Sequence, residues 1–315
     1  VTPLEIEVRP PAPYRLPRGS DDRTLRIRGG VATRLLHVGP SPVLARAWQP
    51  AKDRVVLRAE PLDPGDVALP PLSAVPEPVP AGEAELEVAI ERMRFVLSLD
   101  YDLTAFHRGF RRDPLLGPLI RRMPSFRPRR RVWPWEALAA AVAGQLIEAE
   151  RAVAIERRIA GRWGPRLGEG REALRDVPSA AAIAGRAPAE LAAMDLAPNR
   201  AAALRRVARL VASGRCRLES PAGDRRLLAL PQVGPWTVQC LALFGRGEMD
   251  SLPAGDLGYI KLVGRLAGLG RRATVAEVEE FFAPYEPFRG QAGALALAGL
   301  HRRAALGPPP LRLAA

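Results

Sequence analysis

The sequence is short of cysteine, histidine, lysine and long apolar runs, and each shortage removes a class of function. Only Cys216 and Cys240 occur, too few for a four-thiolate iron-sulfur cluster or a disulfide framework. His37, His107 and His301 are the only histidines and lie far apart, so no metal site is readable. No apolar run approaches the roughly 20 residues that span a bilayer. Val1 to Pro10 shows no basic-then-apolar signal pattern. These shortages lead to the expectation of a cytoplasmic protein with no membrane partner.

Arginine is what abounds. Lys and Arg total 47 against 34 Asp and Glu, a formal net charge of +13, and the only lysines are Lys52 and Lys261. Such an excess favours an anionic partner, nucleic acid first, although a solvated basic surface or a GC-rich coding bias gives the same totals. At 315 residues the chain can hold two or three domains.

Short β-leaning stretches, Leu4 to Val8, Thr24 to Ile27 and Arg54 to Ala59, are separated by Pro- and Gly-bearing turns and predict a small N-terminal sheet. Prolines recur between Pro61 and Pro80 too often for a helix or central strand, which puts a boundary near residue 82. Beyond it, Leu86, Ala89, Ile90, Met93 and Phe95 recur at near-helical spacing. Helical patterns continue at Trp135 to Trp163, Pro188 to Met194, Arg200 to Ser213, Pro235 to Phe244, Leu257 to Leu266, Thr274 to Phe282 and Arg289 to Ala304. The expected class is α+β, mostly α. The expected parts are a β-rich domain with a Pro-rich linker over 1–82, a helical region over 83–305 and a frayed tail over 306–315.

The stretch Leu228-Ala-Leu-Pro-Gln-Val-Gly-Pro-Trp-Thr-Val-Gln-Cys240 reads as a helix ending near Pro231, a tight turn, and a second helix opening near Pro235. Gly234 offers permissive backbone, and Pro235 suits a first helical turn. Free amides at such a helix start can grip a phosphate, a contact that sets position without reading sequence. An αα-hairpin packed in a core fits the same residues. A Gly- and Pro-containing loop follows, Asp250-Ser-Leu-Pro-Ala-Gly-Asp-Leu-Gly-Tyr-Ile-Lys261, and delivers Asp256 to the start of another helix.

Hairpin and loop together resemble the helix-hairpin-helix, Gly/Pro-Asp DNA glycosylase superfamily, and within it the bacterial DNA-3-methyladenine glycosylase II family. Ala143-Gly-Gln-Leu-Ile147, Met194-Asp-Leu-Ala-Pro-Asn-Arg-Ala201 and Tyr285-Glu-Pro-Phe-Arg-Gly290 agree with it in order and spacing. The likeness covers about residues 85 to 305. It implies a β-rich domain ahead of two helical lobes, with a DNA cleft and base pocket between them. It also implies a monomeric bacterial enzyme held on the nucleoid through double-stranded DNA carrying a damaged base.

The resemblance makes Asp256 the carboxylate that stabilises positive charge developing on the sugar; an N-cap is the plainer role for an Asp there. Trp236 stands where bifunctional members carry a Schiff-base lysine, so a monofunctional enzyme leaving an abasic site is implied. Trp236 also fits either a base pocket or ordinary core packing. Leu257, Cys240 and Leu297 replace other pocket aromatics. Gln145 fits that pocket, the displaced partner base, or a structural hydrogen bond.

Gln232, which replaces the usual hairpin glycine, is expected to hold a phosphate together with Val233, Gly234 and Thr237. The run Arg127-Pro-Arg-Arg-Arg131 reads as a solvated face or as a phosphate-facing loop, with Arg129 and Arg130 on the DNA backbone. Phe126 beside it is the candidate wedge that fills the gap left by a flipped base. Asp250 is expected to shape the loop and Arg289 to brace the last helix. No metal or cofactor is expected beyond a monovalent cation that the hairpin could hold. Two rivals stay open: the same chemistry on deaminated or oxidised bases, and a non-catalytic DNA-binding or architectural protein.

Overall fold

Five antiparallel strands begin the chain: β1 (Leu4–Val8), β2 (Arg26–Arg28), β3 (Val31–Val38), β4 (Ser41–Ala51) and β5 (Arg54–Pro61), in spatial order β1-β5-β4-β3-β2. The computed structural model describes residues 1–19, 24–70 and 77–303. The expected tail at 306–315, and Ala304 at the end of the last expected helix, lie outside them. Gly29 and Gly30, at φ +58° and +79°, form the two-residue turn between β2 and β3. Paired left-handed residues match the twist of the strands they join.

Sequence periodicity misses β3 and β4, and burial explains why. One face packs Ala32, Leu36, Val43, Ala45 and Ala47 into a core shared with the first helix. On the other, Leu35 and Leu44 meet Val67 and Leu174. A strand covered on both faces shows no polar alternation. Val67 and Leu174 belong to a second small sheet of β6 (Val67–Ala68), β7 (Arg166–Leu167) and β8 (Leu174–Arg175), which ties the N-terminal part to the helices.

Helix α1 (Glu83–Val96) lays Leu86, Ala89, Ile90 and Met93 on the five-stranded sheet. Next come α2 (Thr104–Phe110), α3 (Leu116–Arg122), α4 (Pro134–Gly144), α5 (Ala149–Trp163), α6 (Ala180–Ala184), α7 (Pro188–Ala192), α8 (Pro198–Ala212) and α9 (Asp224–Leu228). The last four are α10 (Pro235–Cys240), α11 (Leu257–Leu266), α12 (Val275–Phe282) and α13 (Arg289–Arg303). The class is therefore α+β, mostly α, as expected.

The helices form two lobes. One buries Leu138, Val142, Ile155, Leu204, Val207 and Leu241 from α4, α5, α8 and the turn after α10. The other is assembled from both sides of the first in sequence, α2 and α3 packing with α11 to α13. Aromatic edges hold that discontinuous lobe together: Phe106 meets Phe288 at 5.7 Å and Phe110 meets Tyr285 at 5.3 Å between ring centroids.

One expected helix is two. Trp135 to Trp163 breaks between α4 and α5, where Gln145 takes φ −54°, ψ 129° and Leu146 takes φ +57°. The pattern changes there as well: α4 is apolar nearly all round, whereas α5 is amphipathic, with Ile155, Ile159 and Trp163 on its buried side.

A buried ion cluster fixes α4 against the sheet. Arg34 of β3 is fully buried and donates to Thr24 Oγ1 at 2.8 Å and Glu136 Oε2 at 3.0 Å, with Asp176 Oδ1 at 3.4 Å. Glu136, in the first turn of α4, also accepts the Val132 N–H at 3.2 Å. Asp176 accepts the His37 N–H at 3.0 Å. Every charge faces an opposite one, which offsets the cost of desolvating it. Arg34→Met is expected to destabilise the protein by about 3–5 kcal/mol, because it strands two buried carboxylates. Chemical denaturation will show the loss, and adding Glu136→Gln is expected to restore part of it.

Candidate active site at the hairpin and the Asp256 loop

The hairpin runs from α9 through residues 229–234 into α10. Its left-handed residue is Gln232, at φ +70°. Gly234, read from sequence as the permissive point, lies in ordinary extended backbone at φ −107°, ψ 179°. A Cβ at Gly234 would meet nothing within 4 Å. The turn therefore needs no glycine there; what Gly234 provides is an open approach to the start of α10.

The amides divide unevenly. The Val233 N–H donates to the Leu230 carbonyl at 3.1 Å, and the Thr237 N–H to the Gly234 carbonyl at 3.0 Å. Val233 is also buried, so neither its amide nor its side chain is free for a phosphate. Thr237 is likewise buried, its hydroxyl accepting a hydrogen bond from Gln145. Both expected DNA contacts are thus corrected to structural roles. Among the described residues, the Gly234 and Trp236 amides have no acceptor, and they are the donors at the helix start.

Of the three sequence readings of Gln145, the structural hydrogen bond is the one the fold displays. Its Nε2 donates to the Gln232 carbonyl at 2.7 Å and to Thr237 Oγ1 at 2.9 Å. The side chain is spent on the hairpin, which leaves the next residue, Leu146, pointing into solvent as a fully exposed apolar side chain. Sequence reading missed Leu146 because it set the residue inside a continuous helix. The signal was the Gly-Gln pair ahead of it, where the Ala-rich pattern ends.

The Asp256 loop is pinned to α13. Asp250 accepts from the Arg289 backbone N–H at 3.1 Å and from its Nε at 2.9 Å, with Nη2 also bonded to the carboxylate. Asp250 thus shapes the loop and Arg289 braces the helix, as read from sequence. Gly290 lets the two meet, since a Cβ there would collide with the Ser251 carbonyl. The loop ends on Asp256, the N-cap of α11, whose Oδ1 accepts the Gly258 N–H at 2.7 Å. Its other oxygen has no partner among the described residues. Both sequence readings of Asp256 are compatible, because capping occupies only one oxygen and leaves the other available.

Groups from three helices surround this carboxylate. A Cβ on Gly258 would lie 3.0 Å from Asp256 Oδ1 and 3.1 Å from Leu297 Cδ1, which places Leu297 of α13 beside the acid. Trp236 is half-buried, with its Cβ 3.5 Å from the Cβ position of Gly255. Its indole N–H is buried without an acceptor. Burial pushes the Cys240 thiol well above its ordinary range, and the Asp256 charge adds to the shift. The buried Tyr259 phenol is raised for the same reasons in the same order. Leu257, the first residue of α11, is half-buried beside the acid.

The arginine run is largely used up inside the protein. Arg130 is buried, bonded to Asp100 Oδ1 at 2.8 Å and stacked 4.7 Å from the Phe95 centroid, which excludes the expected phosphate contact. Arg127 donates to the carbonyls of Tyr101, Pro11 and Pro13, and Arg131 pairs with Glu156 at 2.9 Å. Arg129 alone of the run's arginines is exposed. Phe126 is half-buried in the second lobe's core, so it is not an exposed wedge.

The architecture recurs in solved structures. A 3-methyladenine DNA-glycosylase from Archaeoglobus fulgidus superposes with a TM-score of 0.74 at 19% identity, covering 96% of this chain and all of that one. In sequence the chain is 31% identical over 212 residues to a Mycobacterium tuberculosis protein named probable bifunctional transcriptional activator/DNA repair enzyme AlkA. The match covers 66% of this chain and 42% of the relative, so the chain spans less than half of that protein's length. Over nearly its whole length the chain thus shares the fold of that solved glycosylase. A Bacillus subtilis DNA-3-methyladenine glycosylase is a further similar protein, 24% identical over 219 residues that cover 68% of this chain and 72% of that one. No family model matches the chain.

The loop from Asp250 to Asp256 gives a pH prediction. Burial raises the Asp250 carboxyl, but hydrogen bonds from Arg289 outweigh it and hold the group below its ordinary 3.8. A depressed carboxyl contributes stability above its unfolded value and loses it as pH falls through the folded one. Wild type is therefore expected to lose more stability between about pH 5 and pH 2 than Asp250→Asn. Denaturation midpoints of the two proteins across that range measure the difference.

Proposed function

We propose that the chain is a monofunctional DNA glycosylase that extrudes a damaged base from duplex DNA and hydrolyses its N-glycosidic bond, with alkylated purines as the first substrate class. The observation that carries this reading is the Asp256 carboxylate. It is fixed at the start of α11, keeps one oxygen unspent, and faces Trp236, Cys240 and Leu297 at the meeting of the two lobes. The names of the Mycobacterium tuberculosis and Bacillus subtilis relatives support the same assignment.

The duplex is held by the unpaired amides at the start of α10 and by the +13 charge, contacts that carry no sequence information. Leu146, fully exposed at φ +57°, fills the stack that the extruded nucleotide vacates. Trp236 offers a π-face to an electron-poor base. The N-glycosidic bond breaks with its electron pair leaving on the base, and Asp256 stabilises the sugar cation. Water adds at the anomeric carbon and gives up a proton, leaving an abasic site. The reaction needs no cofactor.

No amine nucleophile supports strand cleavage. Lys261 is bonded to Glu148 at 3.2 Å, and Trp236 occupies the hairpin-helix position. The product strand is thus expected to break only after alkali. Because Cys240 and Leu297 give the site one aliphatic and one thiol wall, the test panel includes oxidised and deaminated bases.

Single-turnover excision from duplexes bearing 7-methylguanine, 3-methyladenine, hypoxanthine, uracil or 8-oxoguanine tests the reading. Asp256→Asn is expected to lower release by about 100-fold or more while still binding an abasic-site duplex. Binding without release from any lesion by wild type would instead mark a DNA-binding module.

A further inference from the structure

Among the described residues, two of the four non-glycine positions with left-handed backbone, Leu146 and Gln232, belong to separate segments, yet one side chain joins them. Non-glycine residues in this region are strained and persist only where the surroundings enforce them. Gln145 enforces both. As the C-cap of α4 it turns the chain out of the helix, and its amide grips the Gln232 carbonyl and the Thr237 hydroxyl.

The junction is braced on every side. Arg200 of α8 is buried and donates to the Ala143 carbonyl at 2.8 Å, holding the last turn of α4. Asn199 reaches the Gln232 side chain at 3.4 Å. Glu148, two residues after Leu146, pairs with Lys261 of α11, the helix that Asp256 caps. Leu146 therefore stands on a four-residue bridge tied to the hairpin at one end and to the Asp256 helix at the other.

We infer that Gln145 is a positioning residue that couples the hairpin's phosphate grip to insertion of Leu146, so that gripping the backbone and opening the stack happen as one rigid step. This rests on the glycosylase reading for its chemistry, though the coupling concerns base extrusion and not bond cleavage. In this proposal Gln145 acts through the hairpin and Leu146 and not on the base or sugar. A bridge displaced by about 1 Å can cost as much as 100-fold in rate, and the loss falls on substrates whose base must be forced out of a stable stack.

The test compares excision of one lesion opposite its normal partner with excision of the same lesion in a bulge, for wild type, Gln145→Leu, Thr237→Val and the double variant. The paired-to-bulged rate ratio is expected to fall by about 10-fold in each single variant. The double variant is expected to be no worse than Gln145→Leu, which already loses the one bond that Thr237→Val removes. Thr237→Ser, which keeps the hydroxyl, is expected to retain the wild-type ratio. A purely structural role would lower both substrates equally, and that result overturns the proposal, as does an unchanged ratio.

A second readout separates this inference from the glycosylase reading. In an Asp256→Asn background, 2-aminopurine beside the lesion reports unstacking without excision, and its fluorescence rise is expected to slow by about 10-fold with Gln145→Leu. If wild type releases no base yet this rise depends on Gln145, the chemistry fails and the coupling stands. If the rise is absent, or indifferent to Gln145 and Thr237, the coupling fails whatever the chemistry. Should Gln145→Leu not fold, the Thr237→Val and Thr237→Ser pair decides the question alone.

Discussion

The buried Arg34 guanidinium is the constraint on which the rest depends. It sits on β3 of the N-terminal sheet and binds the first turn of α4 through Glu136, with Asp176 closing the cluster. Ions without solvent hold their geometry tightly, because every displacement exposes an uncompensated charge. The start of α4 is thereby set against a rigid sheet. Its other end, one helix length away, carries Gln145 and Leu146. Among the described residues the N-terminal part contributes no group to the site, yet it fixes the helix that delivers the bridge to the hairpin.

From there the site is a meeting of helix ends. The C-terminus of α4, the N-terminus of α10 and the N-terminus of α11 converge, and each supplies a different group: an exposed leucine, unpaired amides and a carboxylate. Helix termini are where backbone groups remain unsatisfied, so they serve contact with a polyanion better than helix middles do. The second lobe keeps this arrangement in place from behind. Asp250 and Arg289 lash the loop to α13, and Gly290 lets the loop carbonyls lie directly on that helix.

The basic surface is less available than the arginine count implies. Arg34, Arg127, Arg130, Arg131 and Arg200 all serve internal carbonyls, carboxylates or aromatic faces. A planar guanidinium with five donors is suited to such bracing. The residues that a linear reading groups as one phosphate-facing loop have separate structural tasks, and Arg129 remains exposed.

The sequence by itself determined the chemistry-bearing signals that are local. The hairpin, the Asp256 loop and the mainly helical class follow from Gly, Pro and Asp placement and from apolar spacing, all of which act over a few residues. Tertiary structure alone decided the rest. β3 and β4 escaped notice because burial on both faces erases alternation. The break at Gln145 escaped because its cause is a hydrogen bond to residues nearly ninety positions away. Arg130 and Phe126 read as surface residues, but their partners, Asp100, Phe95 and the second lobe's core, are brought to them only by folding. Whether a residue faces DNA or props up a neighbour depends on what lies beyond its own segment, and a local pattern carries no record of that.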